Sequence, residues 1–238
     1  MRIALIGYGK MGKAIEEVAL HRGHEIVIRI DQPNLHEFTK ENLATAEAAI
    51  EFTSPHSAFE NVQKLLEFGV PVVCGSTGWT DQLDPMKKLC AEKGGAFAYS
   101  SNFSVGVNIF FEVNKKLAAL MAPHKEYEVI LEEIHHTQKK DAPSGTAITL
   151  AEQVLAEVKR KKQWVNELSD NPEDLEIISQ REDPAPGTHS VKYSSVIDTI
   201  EIIHTAHNRT GFATGAVLAA EFLKDRKGFF NMKDVLGL

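Results

Sequence analysis

Five short apolar runs alternate with helical patterns over the first hundred residues, and the turn after the first run is Gly7-Tyr8-Gly9-Lys10-Met11-Gly12. Strands are expected over Arg2 to Gly7, Glu25 to Asp31, Ala48 to Phe52, Val70 to Gly75 and Ala96 to Ser100. Helices are expected over Lys13 to His21, Pro55 to Phe68 and Asp81 to Glu92. Runs that are apolar throughout, rather than at every second residue, imply strands buried on both faces. Strand–helix repetition of this kind predicts an α/β protein with a doubly wound parallel sheet, the Rossmann-type arrangement.

In that context the glycine turn carries chemistry. The spacing G-x-G-x-x-G between a strand and a helix permits a tight turn and lets a pyrophosphate approach a helix N-terminus. The candidate cofactor residues there are Gly7, Tyr8, Gly9, Lys10, Met11 and Gly12. Asp31 ends the second strand, about 20 residues on, where an acid would hydrogen-bond the adenosine ribose. Gln32 follows it rather than an arginine, so the expectation leans to NADH over NADPH, with Lys10 as a remaining cation. Beyond the carboxyl ends of two later strands lie Gly75-Ser76-Thr77-Gly78 and Ser100-Ser101-Asn102-Phe103, both suited to a nicotinamide or ribose. Gly75, Ser76, Thr77, Ser100, Ser101, Asn102 and Phe103 complete the cofactor set. The alternatives are a ligand-free βα turn, a cap at Asp31 and ordinary turn chemistry in the two loops.

The second half is organised around Glu132 to Leu150, EEIHHTQKKDAPSGTAITL. A strand is expected over Tyr127 to Ile134 and a helix over Thr146 to Val158. The loop between them holds His135, His136, Lys139, Lys140 and Asp141, then Ser144-Gly145-Thr146. Histidine exchanges a proton near neutral pH. Lysine attracts carboxylates and can serve as an acid. Backbone N–H groups at a helix start bind anions, and Gly145 permits close approach. The combination predicts a small anionic substrate, a carboxylate, and a proton transfer. The plainer alternative is a strand end with one ring buried and one exposed. Further strands are expected over Leu175 to Gln180, His189 to Val196 and Thr199 to His204, so this part should be a mixed or antiparallel sheet with helices on one face.

Composition removes several function classes. A formal net charge of -7 without a basic patch argues against nucleic acid. The run Lys159 to Lys162 reads as a solvated helix end. Two cysteines, Cys74 and Cys90, make neither a disulfide framework nor a metal site. No apolar run approaches bilayer length, and Met1 leads directly into a strand, so no membrane contact and a cytoplasmic location are expected.

Taken together, these motifs resemble the dihydrodipicolinate reductase family of lysine and diaminopimelate synthesis. The run H-H-x-x-K-x-D-A-P-S-G-T-A matches from His135 to Ala147. N-F-S-V-G-V-N matches Asn102 to Asn108, and H-x-A-x-x-R-x-x-F-A-x-G-A matches His204 to Ala216. The glycine loop is one residue shorter than usual and carries Lys10 in place of arginine. The resemblance implies reduction of 4-hydroxy-tetrahydrodipicolinate by NADH or NADPH. It also implies His135 and Lys139 as the catalytic pair, and His136, Ser144, Gly145 and Thr146 as substrate ligands. It implies no metal, and a homotetramer built on the second sheet. The dinucleotide domain would span 1–104 and 209–238 and the substrate domain 105–208, with closure bringing their ligands together. Arg209 is either a carboxylate partner or an interdomain ion pair. Three rivals remain: another two-domain dehydrogenase, a metal hydrolase using His135, His136 and Asp141, and a silent NAD sensor.

Overall fold

A computed structural model describes all 238 residues, which form two compact units: Met1–Val105 with Arg209–Leu238, and Gly106–Asn208. In the first unit the elements run β1 (Arg2–Ile6), α1 (Lys10–His21), β2 (Glu25–Ile30), α2 (Lys40–Leu43), β3 (Ala48–Glu51), α3 (Pro55–Phe68), β4 (Val72–Cys74), α4 (Leu83–Lys93) and β5 (Ala96–Tyr99). The helix α5 (Val105–Met121) leads into β6 (Glu128–His135), α6 (Gly145–Glu157), β7 (Gln163–Val165), β8 (Asp174–Arg181), β9 (Gly187–Ser194) and β10 (Thr199–Ala206). The chain then returns through α7 (Thr210–Leu223), β11 (Gly228–Phe230) and α8 (Met232–Leu236) to complete the first unit.

The first sheet is six-stranded and wholly parallel, in the order β11-β5-β4-β3-β1-β2. One face packs α1 and α7 through Ile3, Leu5, Ile15, Ala216 and Leu223. The other packs α3 and α4 through Ala4, Ile6, Val62, Leu65 and Cys90. The continuous apolar strands are therefore buried on both sides, as a doubly wound sheet requires. The order reverses direction between β1 and β3, which makes a crevice beyond their carboxyl ends.

The second sheet is mixed, in the order β10-β9-β6-β8-β7. β6, β8 and β7 run parallel, and β9 is antiparallel to β6 and β10. Residues from α5 and α6, among them Phe110, Ala118, Ala147 and Leu150, join Val129, Leu131, Ile177 and Tyr193 in one core cluster. Alternation along β6 sends Val129, Leu131, Glu133 and His135 to the buried side.

Several expectations need correction. α1 begins at Lys10, inside the glycine motif, with Gly9 as its N-cap and the Lys13 N–H bonded to the Gly9 carbonyl. β7, β11 and α8 were not anticipated. The Lys159 to Lys162 run is not a solvated helix end. The helix stops at Glu157, Lys161 is buried with its ammonium 3.0 Å from Glu128, and Arg160 donates to the Tyr127 carbonyl. No helix is long and apolar enough to cross a membrane.

Candidate active site

In the first unit the glycine turn is sterically required. Gly7 has φ +93°, and a Cβ there would sit 2.2 Å from the Phe52 carbonyl oxygen. A Cβ on Gly12 would sit 2.3 Å from the Gly7 carbonyl oxygen. Gly9, in contrast, faces open space. It caps α1 without a side-chain hydrogen bond, and the first backbone bond into it comes from Lys13. The N–H groups of the first turn therefore make an anion-binding start to a 12-residue helix.

A cavity of about 280 Å³ opens at the switch point, lined by Gly7, Tyr8, Gly9, Asp31, Thr53 and Ser57 among others. This cradle fits a dinucleotide. The Asp31 carboxylate accepts the Gln32 N–H at 2.9 Å while lining that cavity, so it is both a cap and a candidate ribose ligand. Arg29 is the cation nearest in sequence, and it is engaged with Glu16, which also receives the Tyr8 hydroxyl.

The other two candidate cofactor loops follow β4 and β5, at the same edge of the parallel sheet. Gly75 is required because a Cβ would strike the Phe52 ring at 2.1 Å. The Ser76 hydroxyl accepts the Thr53 N–H at 2.9 Å, and Thr77 is exposed. Ser100 bridges both backbone groups of Asn102, Ser101 is exposed, and the Phe103 ring is core, against Phe52. Any cofactor contact at Phe103 would therefore involve its backbone. Beneath the crevice the buried Glu51 carboxylate accepts from the Cys74 thiol at 3.0 Å and from the Thr53 N–H at 3.1 Å. Burial, with Glu51 adjoining, holds that thiol well above its ordinary pKa.

In the second unit the titratable loop hangs from the end of β6. His135 is the last strand residue and is buried; His136, just past the strand, is half-buried. Strand register sets Glu133 opposite Ser179 and His189, and His135 opposite Arg181. Glu133 is completely buried. It accepts the Ser144 N–H at 3.1 and 3.2 Å and the Ser179 hydroxyl at 2.7 Å. His135 Nδ1 lies 3.5 Å from it, His189 Nε2 3.6 Å and Arg181 Nη1 3.7 Å. Burial alone would raise the Glu133 pKa, yet contacts to His189, Ser144 and Ser179 outweigh it and pull the group down to about 2. Burial, then the neighbouring His189, pushes His135 down to about 4, with Glu133 opposing. In the free protein His135 is therefore a neutral imidazole near pH 7.

The loop itself is stapled. Arg181 donates to the Asp141 carbonyl at 2.7 Å, and Thr137 donates to Asp183 through its N–H and hydroxyl. The Lys139 ammonium rests on both Asp141 oxygens, at 2.9 and 2.8 Å, and holds that carboxyl below its usual range. Ser144 caps α6, its hydroxyl accepting the Ala147 N–H at 3.2 Å. Gly145 faces open space at the helix start, with Thr146 next. His135, Lys139, Ser144, Gly145 and Thr146 thus belong to one strand–loop–helix junction, which combines proton-exchanging groups with an anion-binding helix terminus.

The ligand set of the hydrolase alternative, His135, His136 and Asp141, does not form. The cluster that does form is Glu133, His135 and His189, whose ligand atoms lie within 4.8 Å of one another. The Arg181 guanidinium beside the same carboxylate opposes a cation there. Glu133, Ser179, Arg181 and His189 were missed from sequence. Only Glu133 left a trace: two residues before His135 on a strand, it must share that residue's face.

A doubly wound parallel sheet with a glycine cradle at its switch point, followed by a second domain bearing a His/Lys loop, defines a two-domain oxidoreductase with a nucleotide-binding fold. Comparison with known proteins sharpens this. The model described as Dihydrodipicolinate reductase, N-terminus, matches residues 1–103, and that described as Dihydrodipicolinate reductase, C-terminus, matches residues 106–236. The chain belongs to the dihydrodipicolinate reductase family. It is 48% identical over 240 residues to a 4-hydroxy-tetrahydrodipicolinate reductase of Christiangramia forsetii, covering 99% of this chain and 98% of the relative. A protein of the same name from Methanoregula boonei is 36% identical over 193 residues, 79% of this chain and 74% of the relative. Among solved structures, a dipicolinate-bound dihydrodipicolinate reductase from Paenisporosarcina sp. TG-14 shares the fold, with TM-score 0.77 at 23% identity over 97% of each chain.

Proposed function

We propose that the protein reduces 4-hydroxy-tetrahydrodipicolinate to tetrahydrodipicolinate and water at the expense of NAD(P)H, a step in lysine and diaminopimelate synthesis. The carrying observation is the β6–α6 junction, which combines His135 and Lys139 with an open, capped helix start at Ser144-Gly145-Thr146. A dicarboxylate suits that start, and the names of the relatives fit the same substrate class.

The first unit would hold the nicotinamide cofactor along Gly7 to Gly12, Asp31, Gly75 to Thr77 and Ser100 to Phe103. When bound, that cofactor supplies hydride, which a conjugated imine accepts at ring carbon 4. The chain supplies the rest. His135 exchanges the proton at carbon 3, and Lys139 donates to the leaving hydroxyl. His136, Ser144, Gly145 and Thr146 bind the carboxylates. Asp31 favours NADH, because a 2′-phosphate beside it would meet a carboxylate and no free arginine. The open face of the second sheet, with Ile130, Ile134, Ile178 and the exposed Ile203, is the surface on which a homotetramer would assemble.

The test condenses pyruvate with aspartate semialdehyde through the preceding synthase and follows NADH and NADPH consumption separately. The purified protein should oxidise NADH or NADPH with this substrate. His135→Gln and Lys139→Ala should each lower kcat by about 100-fold or more. Asp31→Ala should move the NADPH/NADH rate ratio up by about tenfold, near the ~1.4 kcal/mol of a like charge removed at a half-exposed site. No consumption of either cofactor, with cofactor binding verified by fluorescence, would overturn the assignment in favour of a sensor or a different dehydrogenase.

A further inference from the structure

We propose that Glu133 and His189 are positioning residues for His135, holding its ring so that Nε2 is the atom that exchanges the proton. The inference rests on the reading of His135 as the proton-transferring group.

The geometry begins with an expensive placement. A carboxylate with no solvent exposure persists only if charged and hydrogen-bonding partners surround it. The partners of Glu133 come from four pieces of chain: His135 of its own strand, Ser179 and Arg181 of β8, His189 of β9, and Ser144 at the start of α6. One oxygen, Oε2, faces both imidazoles, at 3.5 Å from His135 Nδ1 and 3.6 Å from His189 Nε2. The two rings meet edge to face, 5.0 Å apart at 74°. His189 is held in turn by Ser144 Oγ at 3.1 Å. His135 Nδ1 is buried without a hydrogen-bond partner, and the Glu133 carboxylate, 3.5 Å away, is the charge that an N–H there faces. A carboxylate on one ring nitrogen selects the tautomer and leaves the other nitrogen for chemistry.

The other end of the ring fits this role. His135 Nε2 points at Gly187, where a Cβ would come within 3.1 Å, so a side chain at 187 would crowd the reacting atom. In the step itself, the unprotonated Nε2 takes the proton from carbon 3 as the hydroxyl leaves with the proton from Lys139, which makes the ring an imidazolium. After hydride addition the N–H bond at Nε2 breaks as the C–H bond at carbon 3 forms again, and the ring returns to neutral imidazole. Glu133 remains a carboxylate throughout. The groups facing the ring are Glu133, which favours the imidazolium, and His189, Lys139 and Arg181, which oppose it. Glu133 also receives the Ser144 N–H, so one carboxylate fixes both the proton-exchanging ring and the cap of the substrate helix.

The test compares the pH dependence of kcat for the full-length enzyme and for the E133Q, H189Q, H135Q and E133Q/H135Q variants, with thermal melts to verify folding. E133Q should lower kcat about 10- to 100-fold and move the His135-dependent limb to lower pH. H189Q should move that limb to higher pH, and it serves as the second arm if E133Q does not fold. On the H135Q background, E133Q should cost less than about twofold more, since its effect passes through the missing ring. Coincident limbs in wild type and variants, or a full additional loss in the double variant, would reduce Glu133 to a structural clamp and overturn the proposal. If H135Q itself keeps the wild-type rate and profile, it is the reading of His135 that fails, and the inference fails with it.

Discussion

Gly145 separates binding from stability. A Cβ there would meet nothing within 4 Å, so Gly145→Ala should leave the melting temperature within about 2 °C of wild type. The same methyl would stand at the helix start where a carboxylate would rest. The KM for the dicarboxylate should therefore rise by about tenfold, read directly from initial rates. At this scale the sequence was legible where function is concentrated in consecutive residues. His135, Lys139 and Ser144-Gly145-Thr146 fall within twelve positions, and their residue types state their chemistry. Ser179, Arg181 and His189 reach the same site only through the register of β6 against β8 and β9. Nothing in a linear reading supplies that register, because it depends on pairing between strands more than 40 residues apart.

Elements announced themselves in proportion to their local signals. Pro55 at the first turn and Gly69 in the left-handed region bound α3 at both ends, and its limits are those expected. β7 and β11 are three residues each, too short for any periodicity, and exist only because neighbouring strands offer free edges. The packing of α7 is equally a tertiary matter. A Cβ on Gly215 would sit 1.7 Å from the Phe103 carbonyl oxygen, so this helix lies directly on the Ser100 to Ser104 loop. Gly215→Ala should destabilise the first unit by about 1–3 kcal/mol, visible as a melting temperature lower by several degrees, and should weaken NADH binding in the same titration.

For the whole molecule, acid should act chiefly through the buried cluster of the second unit. His135 falls from 6.5 in the unfolded chain to about 4 when folded, so the unfolded chain takes the proton first. Stability is therefore lost as pH drops from about 6.5 toward 4. Glu133 falls from 4.5 to about 2, so its contribution is full above 4.5 and is lost as pH falls toward 2. Urea unfolding at pH 7, 5.5 and 4 should show a decline on the order of 3 kcal/mol or less across that range, smaller in H135Q. A flat profile would mean that this cluster does not govern acid stability.

The chain leaves the first unit at Val105 and re-enters it at Arg209. On re-entry it supplies Ala213, Ala216, Val217, Ala220 and Leu223, which cover Ile3, Leu5 and Ile50. During vectorial synthesis the ribosome therefore delivers the glycine cradle long before the helix that seals the sheet beneath it. The intervening hundred residues must emerge, and can fold, while that apolar sheet face is covered by α1 alone. The nucleotide-binding half is the first to be made and the last to be finished, so a nascent chain halted near residue 200 would be a natural client for a holdase chaperone.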